Sequence, residues 1–397
     1  MPEAAVRRAF ADQADWCDRL GSPFTARLLA GLGRALGRET ETGRRVLDWP
    51  GPPDAMGDSV PLRLAGALHG LVRAGRLEAF RAYYPPAPLA EEAALTAAAL
   101  EAIAQADAAI LGWLERAPQT NEVARSGVLY PGFAVVAAET GLPLALHELG
   151  ASAGLNLVPD RYAYRLGGAT FGAAGAPVRL QPDWTGPAPA GVEPRIVTRR
   201  GCDLTPIDLR DMGAQARLIS YIWPDQPERL ARAAAAIGLF AADPATPERA
   251  DAADWTERVF AGPGPEGVVR VLFHSIAFQY FPEAAQRRIG AAMAAAGAAA
   301  TPERPVAWLA FEQRGDAGPH LTLRLWPGGA DRIHARADAH VRRVQSLACA
   351  CGHWHEAGGI AALRASMHPA LSSPLRGSSS GGPGRTGTPG PRALPSA

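Results

Sequence analysis

The sequence predicts an α/β fold: a doubly wound, mostly parallel sheet with an antiparallel C-terminal hairpin, preceded by an all-helical N-terminal domain. Three observations carry that expectation. Up to residue 118 apolar side chains recur at helical spacing, and from 119 to 347 short apolar runs alternate with helical segments. The last two of those runs stand too close together for a crossover helix between them.

Over 1–118, Leu64, Leu68, Leu71 and Val72 make one helical stripe, and Leu95, Ala98, Ile103 and Leu111 with their neighbours make another. Breaks fall at Gly21-Ser-Pro23, Pro50-Gly-Pro-Pro53 and Pro85-Pro-Ala-Pro88. Gly57-Asp-Ser-Val-Pro61 reads as a helix start, with Asp58 or Ser59 as N-cap and Pro61 in the first turn. This region is expected to be a helical domain or cap. Over 119–347, strands are expected at 142–149, 195–199, 268–273, 306–312 and 321–326, and helices at 128–139, 215–221, 227–239 and 282–300. The gap holding Gly315-Asp-Ala-Gly-Pro319 suits a hairpin, which places an antiparallel strand at the sheet edge. The remaining segment, 348–397, is dominated by Ser, Gly and Pro from 372 on and is expected to be a disordered low-complexity tail.

Composition narrows the partners. Of 397 residues 47% are apolar, ample for a core, and 40 basic residues, all arginine, face 39 acidic ones. So balanced a charge favours neither nucleic acid nor a membrane surface. The start, Met1-Pro-Glu-Ala-Ala-Val-Arg-Arg, has no apolar run of a signal peptide. The alanine-rich stretch 289–301 falls well short of the roughly 20 residues that cross a bilayer. Four cysteines in such a chain make no disulfide framework. A reduced cytoplasmic protein acting on a small molecule is expected, with no oligomeric state implied.

The chemistry centres on Leu144-Ala-Leu-His-Glu148-Leu-Gly150-Ala-Ser152-Ala-Gly154-Leu-Asn156-Leu157. An apolar strand ends in an acid, then glycines four apart, then a segment able to start a helix. That order suits a nucleotide-type cofactor at the first turn of a Rossmann-like sheet: glycine lets the backbone approach the ligand, and a helix start offers free N–H groups. Ser152 stands where a middle glycine would complete the familiar pattern, and any strand–turn–helix unit wants small residues.

A Rossmann-like sheet closed by an antiparallel hairpin resembles the class I fold of S-adenosylmethionine-dependent methyltransferases. More specifically, several stretches resemble a bacterial family known as domain of unknown function 2332. They are Gln119-Thr-Asn-Glu-Val-Ala-Arg125, Glu148 to Asn156 with Asp160-Arg-Tyr162, Gly201-Cys-Asp-Leu-Thr-Pro-Ile-Asp208, Tyr221-Ile-Trp-Pro-Asp-Gln-Pro-Glu-Arg229 and Phe273-His-Ser-Ile-Ala-Phe-Gln-Tyr280. The similarity runs from about Arg8 to Leu347, departing at Val341, where glycine is expected after Ala337-Asp-Ala-His340.

The resemblance implies S-adenosylmethionine as cofactor, bound by Glu148, Gly150, Ser152, Gly154 and Asn156. Glu148 would orient its cationic methionine end, or else serve as a helix-start carboxylate. Asp203 is the candidate for the ribose hydroxyls and Asp208 for a helix cap, while Asp251 would lie beside the adenine. His274 would accept a proton from the methyl acceptor, positioned by Gln279 and Tyr280; a structural hydrogen bond is the other reading of His274. Asn121, Glu122 and Arg125 would act as a lid, or as a capping box in which Arg125 has no part. Trp223 and Asp225 would wall the substrate. The alternative function is a non-catalytic ligand-binding or scaffold module on the same fold. No metal is expected: Cys349-Ala-Cys351-Gly-His353-Trp-His355 alternates its ligands along one segment instead of pairing them, and no G-x-S-x-G elbow marks a hydrolase.

Overall fold

The computed structural model describes residues 2–241 and 246–347. The expected tail over 348–397, with its Cys349–His355 cluster, lies outside them.

Seven helices form the N-terminal region: α1 (Pro2–Arg19), α2 (Pro23–Ala35), α3 (Glu41–Leu47), α4 (Val60–Arg73), α5 (Glu78–Arg81), α6 (Glu92–Gln105) and α7 (Asp107–Leu114). Their apolar stripes meet in a core containing Phe10, Leu28, Leu29, Leu32, Leu64, Leu68 and Ile103. Burying one such side chain is worth about 1.5–3 kcal/mol, so packing rather than propensity holds these short helices. Ser22 caps α2 at the break expected there, its hydroxyl accepting from the Thr25 amide. At α4 the N-cap position belongs to Ser59, whose side chain makes no capping bond. Asp58 instead accepts from Trp49 Nε1 at 2.7 Å and pairs with Arg63 at 3.5 Å.

Helix α8 (Ser126–Thr140) leads into β1 (Leu144–Leu149), the middle of the five parallel strands in a nine-stranded sheet. The chain then forms β2 (Ala163–Leu166), β3 (Ala169–Gly172), β4 (Arg179–Leu180) and β5 (Asp183–Thr185) before β6 (Ile196–Asp203). Helices α9 (Met212–Ser220) and α10 (Pro227–Ala241), strand β7 (Glu248–Arg249) and helix α11 (Ala252–Phe260) follow, then β8 (Val269–Ser275), α12 (Glu283–Ala298) and β9 (Val306–Gln313). Three strands close the region: β10 (Pro319–Trp326), β11 (Asp331–Ala337) and β12 (Arg343–Ser346). The order is β7-β6-β1-β8-β9-β10-β11-β12-β5. Strands β7, β6, β1, β8 and β9 are parallel; β9 to β12 form an antiparallel meander. Every residue of β1 and β8 is buried, as expected of parallel strands covered on both faces. From β1 the chain builds outward to β7 on one side, then returns to build β8 and β9 on the other. The C-terminal ends of β1 and β8 therefore flank the reversal point of the strand order.

Two expectations need correction. No α-helix follows β1; single 3₁₀ turns at Leu155–Leu157 and Pro159–Arg161 and a small sheet of order β3-β2-β4 make up the connection. A left-handed residue at every second position from Gly150 to Gly154 prevents a helix from starting there. The β9–β10 hairpin forms, but it is not the sheet edge, because β11, β12 and β5 extend beyond it. Charged residues hid β11: Arg324 on β10 pairs with its Asp331, and its Arg332 pairs with Glu139 at 2.6 Å. Val341, where glycine was expected, adopts φ +52°, a left-handed conformation that a β-branched residue rarely takes.

Candidate functional site

The turn after β1 is shaped by its backbone. Gly150, Ser152 and Gly154 have φ of 64°, 52° and 77°. A Cβ at Gly150 would lie 2.8 Å from the Ala277 Cβ, so glycine alone lets this turn meet the loop after β8. Asp203, at the end of β6, accepts the Ser152 amide at 2.9 Å on one oxygen and the Thr205 amide at 2.8 Å on the other, with Gln119 Nε2 at 3.3 Å. Asn121 Oδ1 accepts the Leu155 amide at 2.8 Å. Asn156, 1% exposed, accepts from Ser126 Oγ at 2.7 Å and donates to the Glu122 carbonyl. Residues 119–126 thus clamp the turn. Asp203 and Asn156 are spent on that clamp, and the helix-start N–H groups expected beyond Gly154 are missing because no α-helix begins there.

Arg125 is the centre of the arrangement. Its Nη1 donates to the Ser275 carbonyl at 2.9 Å and its Nε to the Ala339 carbonyl at 3.4 Å, tying the end of β8 to the loop before β12. Burial pushes its guanidinium pKa down, opposed by the charges of Glu122 and Glu312. Glu148 lies within the same field. It is 2% exposed and its Oε2 has no hydrogen-bond partner. Burial drives its carboxyl well above the usual range; Arg125 opposes that shift and Asp203 adds to it. Glu122 behaves oppositely. Burial alone would raise it, but Arg229, 2.6 Å away, with His340 and the Ala124 amide, holds it down at about 2.

The loop after β8 completes the corner. Ile276 has φ +46°, strained for a β-branched residue, and its amide donates to the Phe311 carbonyl at 2.8 Å. Glu312, on β9, accepts from the amides of Ala277 and Phe278 at 3.0 and 3.1 Å and contacts His274 Nδ1 at 2.7 Å. Trp308 Nε1 donates to His274 Nε2 at 2.9 Å, so the Nδ1 proton goes to Glu312. His274 is 2% exposed with both ring nitrogens engaged. Instead of waiting as an open base, it is a link in a buried chain, because the strand end turns inward beneath Phe278, which stacks on it at 4.7 Å. Tyr280 is 51% exposed, and Gln279 Oε1 is buried without a partner.

Among the buried atoms without a partner, Glu148 Oε2, Glu312 Oε2 and His340 Nδ1 belong to residues that interact electrostatically with Arg125, Ser152 Oγ lies on the β1 turn and Gln279 Oε1 in the loop after β8. Buried polar groups are normally satisfied, so orphans on the β1 turn and beside β8 and β9, where the strand order reverses, make this the candidate site. Sequence reasoning found Glu148, Ser152, Gln279 and Arg125 but missed Glu312, although an acid ending the apolar run of β9 was a readable signal. His340 and the Glu122–Arg229 pair cross too many residues to be read.

Other expected residues lie apart. Asp251 caps α11, accepting the Ala253 and Asp254 amides at 2.9 and 3.1 Å. Asp208 pairs with Arg210, and the cap of α9 is Asp211. Asp225 accepts from Ser22 Oγ at 2.5 Å and the Phe24 amide at 2.9 Å, binding its loop to α2. Trp223 packs on His340 at 5.4 Å and lines a cavity of about 30 Å³ with Phe24, His69 and Tyr84. Among the described residues, no group of three or more His, Cys, Asp or Glu is placed to hold a metal ion, and no single helix is long and apolar enough to cross a membrane.

A family model described as an uncharacterized protein conserved in bacteria (DUF2332) matches residues 7–345, and the chain belongs to that family. No curated protein and no solved structure matches it.

Proposed function

We propose that this member of the family binds S-adenosylmethionine at the C-terminal ends of β1 and β8 and passes its methyl group to a small molecule. One observation carries the reading: Glu148 and Glu312, each with a buried unpartnered oxygen, interact with the Arg125 guanidinium where the strand order reverses. The cofactor supplies a methyl already activated on a sulfonium, so the protein has to orient, align and exclude water. The methionine end carries an ammonium and a carboxylate. Glu148, with its spare oxygen, suits the first; Arg125 suits the second; Ser152 Oγ offers a further hydrogen bond. Asp203 serves by fixing the turn through the Ser152 amide, and Asp251 drops out as a helix cap.

Calorimetric titration of the full chain with S-adenosylhomocysteine tests this. Saturable binding that Glu148→Ala weakens about tenfold or more supports it. Binding of NADH instead, or binding indifferent to Glu148, overturns it. The closed His274–Glu312–Trp308 chain favours a second reading, a ligand-binding module without catalysis. Under that reading S-adenosylhomocysteine binds with the same dependence, while no methyl leaves labelled S-adenosylmethionine in the presence of a cell metabolite extract.

A further inference from the structure

We propose that the loop after β8 and the end of β9 form a second subsite that takes the ammonium group of an amine-bearing ligand. The proposal rests on the reading that this corner of the sheet is a ligand site, and it names the chemistry of the second molecule held there.

Glu312, nine-tenths buried, divides its two oxygens unequally. Oε1 meets three N–H groups, from His274 Nδ1 and the amides of Ala277 and Phe278, while Oε2 is buried with no partner. Gln279 Oε1, one residue beyond those amides, is likewise buried and unpartnered. Both orphans are oxygens, so both lack a donor. The donors at hand are committed elsewhere. Trp308 Nε1 is given to His274, and the two bonds of the Arg125 guanidinium go to the Ser275 and Ala339 carbonyls, none of them to either orphan oxygen. Leaving such an oxygen bare costs about 1–3 kcal/mol, which a ligand bringing N–H groups recovers. An ammonium brings three donors and a charge opposite to that of a carboxylate.

The surroundings define the rest of the molecule. Phe278 and Phe281 lie 5.7 Å apart, and the half-exposed ring of Tyr280 stands beside them at the mouth of the loop. Aromatic faces next to a carboxylate suit an ammonium carried on an apolar or aryl body. The strain at Ile276, held by its bond to the Phe311 carbonyl and by Glu312 on the next two amides, keeps this wall over the β9 end.

Three probes of one shape test the proposal: benzylamine, benzyl alcohol and benzoate, each titrated calorimetrically into the full-length protein. Benzylamine should bind at least about tenfold more tightly than either of the others, as a charge-assisted hydrogen bond requires. Glu312→Gln should reduce that preference. Gln279→Leu, which leaves the amides of Ala277 and Phe278 on Glu312, should reduce it several-fold without disturbing the loop. Equal binding of benzylamine and benzyl alcohol, or a benzylamine affinity untouched by both substitutions, overturns the proposal. The wild-type titration with S-adenosylhomocysteine separates the two ideas. If that ligand binds and benzylamine does not, the amine subsite alone fails. If benzylamine binds with these dependences and S-adenosylhomocysteine does not, the cofactor reading fails and the subsite stands.

Discussion

Glu148 is the residue at which burial and chemistry conflict most openly. A carboxyl inside a fully buried strand costs several kcal/mol to ionise unless a cation or donors accompany it, and Arg125 answers only in part. Its raised pKa favours the protonated form in the free protein, whereas a bound ammonium favours the ionised one. Binding should therefore release a proton, and affinity for S-adenosylhomocysteine should rise with pH until the raised value is passed. Titrations in phosphate and Tris, whose ionisation enthalpies differ, should give different apparent heats; equal heats would refute proton release. Glu122 shows the opposite balance. With Arg229 it forms a buried pair whose side chains are 6% and 11% exposed. Removing one partner strands the other charge, so Glu122→Ala should cost about 3–5 kcal/mol in urea unfolding.

Among the elements, the β1 turn and the β8 loop form one unit because Gly150 and Ala277 touch. Gly150→Ala forces a side chain into positive φ and into a 2.8 Å approach to the Ala277 Cβ. A loss of about 1–3 kcal/mol is expected, with weakened ligand binding. Adding Ala277→Gly should recover the clash but not the φ penalty, and a double-mutant cycle reads that difference. Helix α2 depends in the same way on a distant residue. Asp225 accepts the Phe24 amide at its first turn, so Asp225→Ala should cost about 1–2 kcal/mol without altering ligand affinity.

For the whole molecule, acid stability follows from histidines buried as neutral rings. His69, on the Ser220 carbonyl, and His147, on the Ala145 carbonyl, are each lowered by burial from 6.5 to about 4, and His340 to about 3 by burial and Arg229. Unfolded, these rings take up protons below 6.5, while the folded ones resist. The stability they contribute is complete above pH 6.5 and is lost as pH falls towards 4. His334, lowered to about 3, and His320, also lowered by burial, add to this, while Glu148, its folded value raised, works in the other direction, one group against five. The melting temperature should therefore fall steadily from pH 6.5 to 4.5, and a flat profile there would contradict the burial of these rings. Over the same range Glu122, held near 2, keeps its pair with Arg229 intact.

What the sequence determined by itself is whatever depends on neighbours along the chain. Helical spacing announced the N-terminal helices, apolar runs announced β1, β8, β9 and β10, and Gly315-Asp-Ala-Gly-Pro319 announced a hairpin. The Glu148–Gly154 turn stood out for the same reason, since backbone conformation is a local property and glycine declares it. Tertiary structure alone decided how polar groups are shared. Asp203 became a clamp and His274 a closed link only because partners 51 and 38 residues away met them, whereas Asp251 caps α11 through a local bond two residues on. Glu312 joined the site because parallel strands β8 and β9 end side by side, and His340 because the loop between β11 and β12 meets Arg125 and Trp223. Strand β11 was hidden because its charged residue Asp331 finds its partner across the sheet, a pairing that exists only after folding.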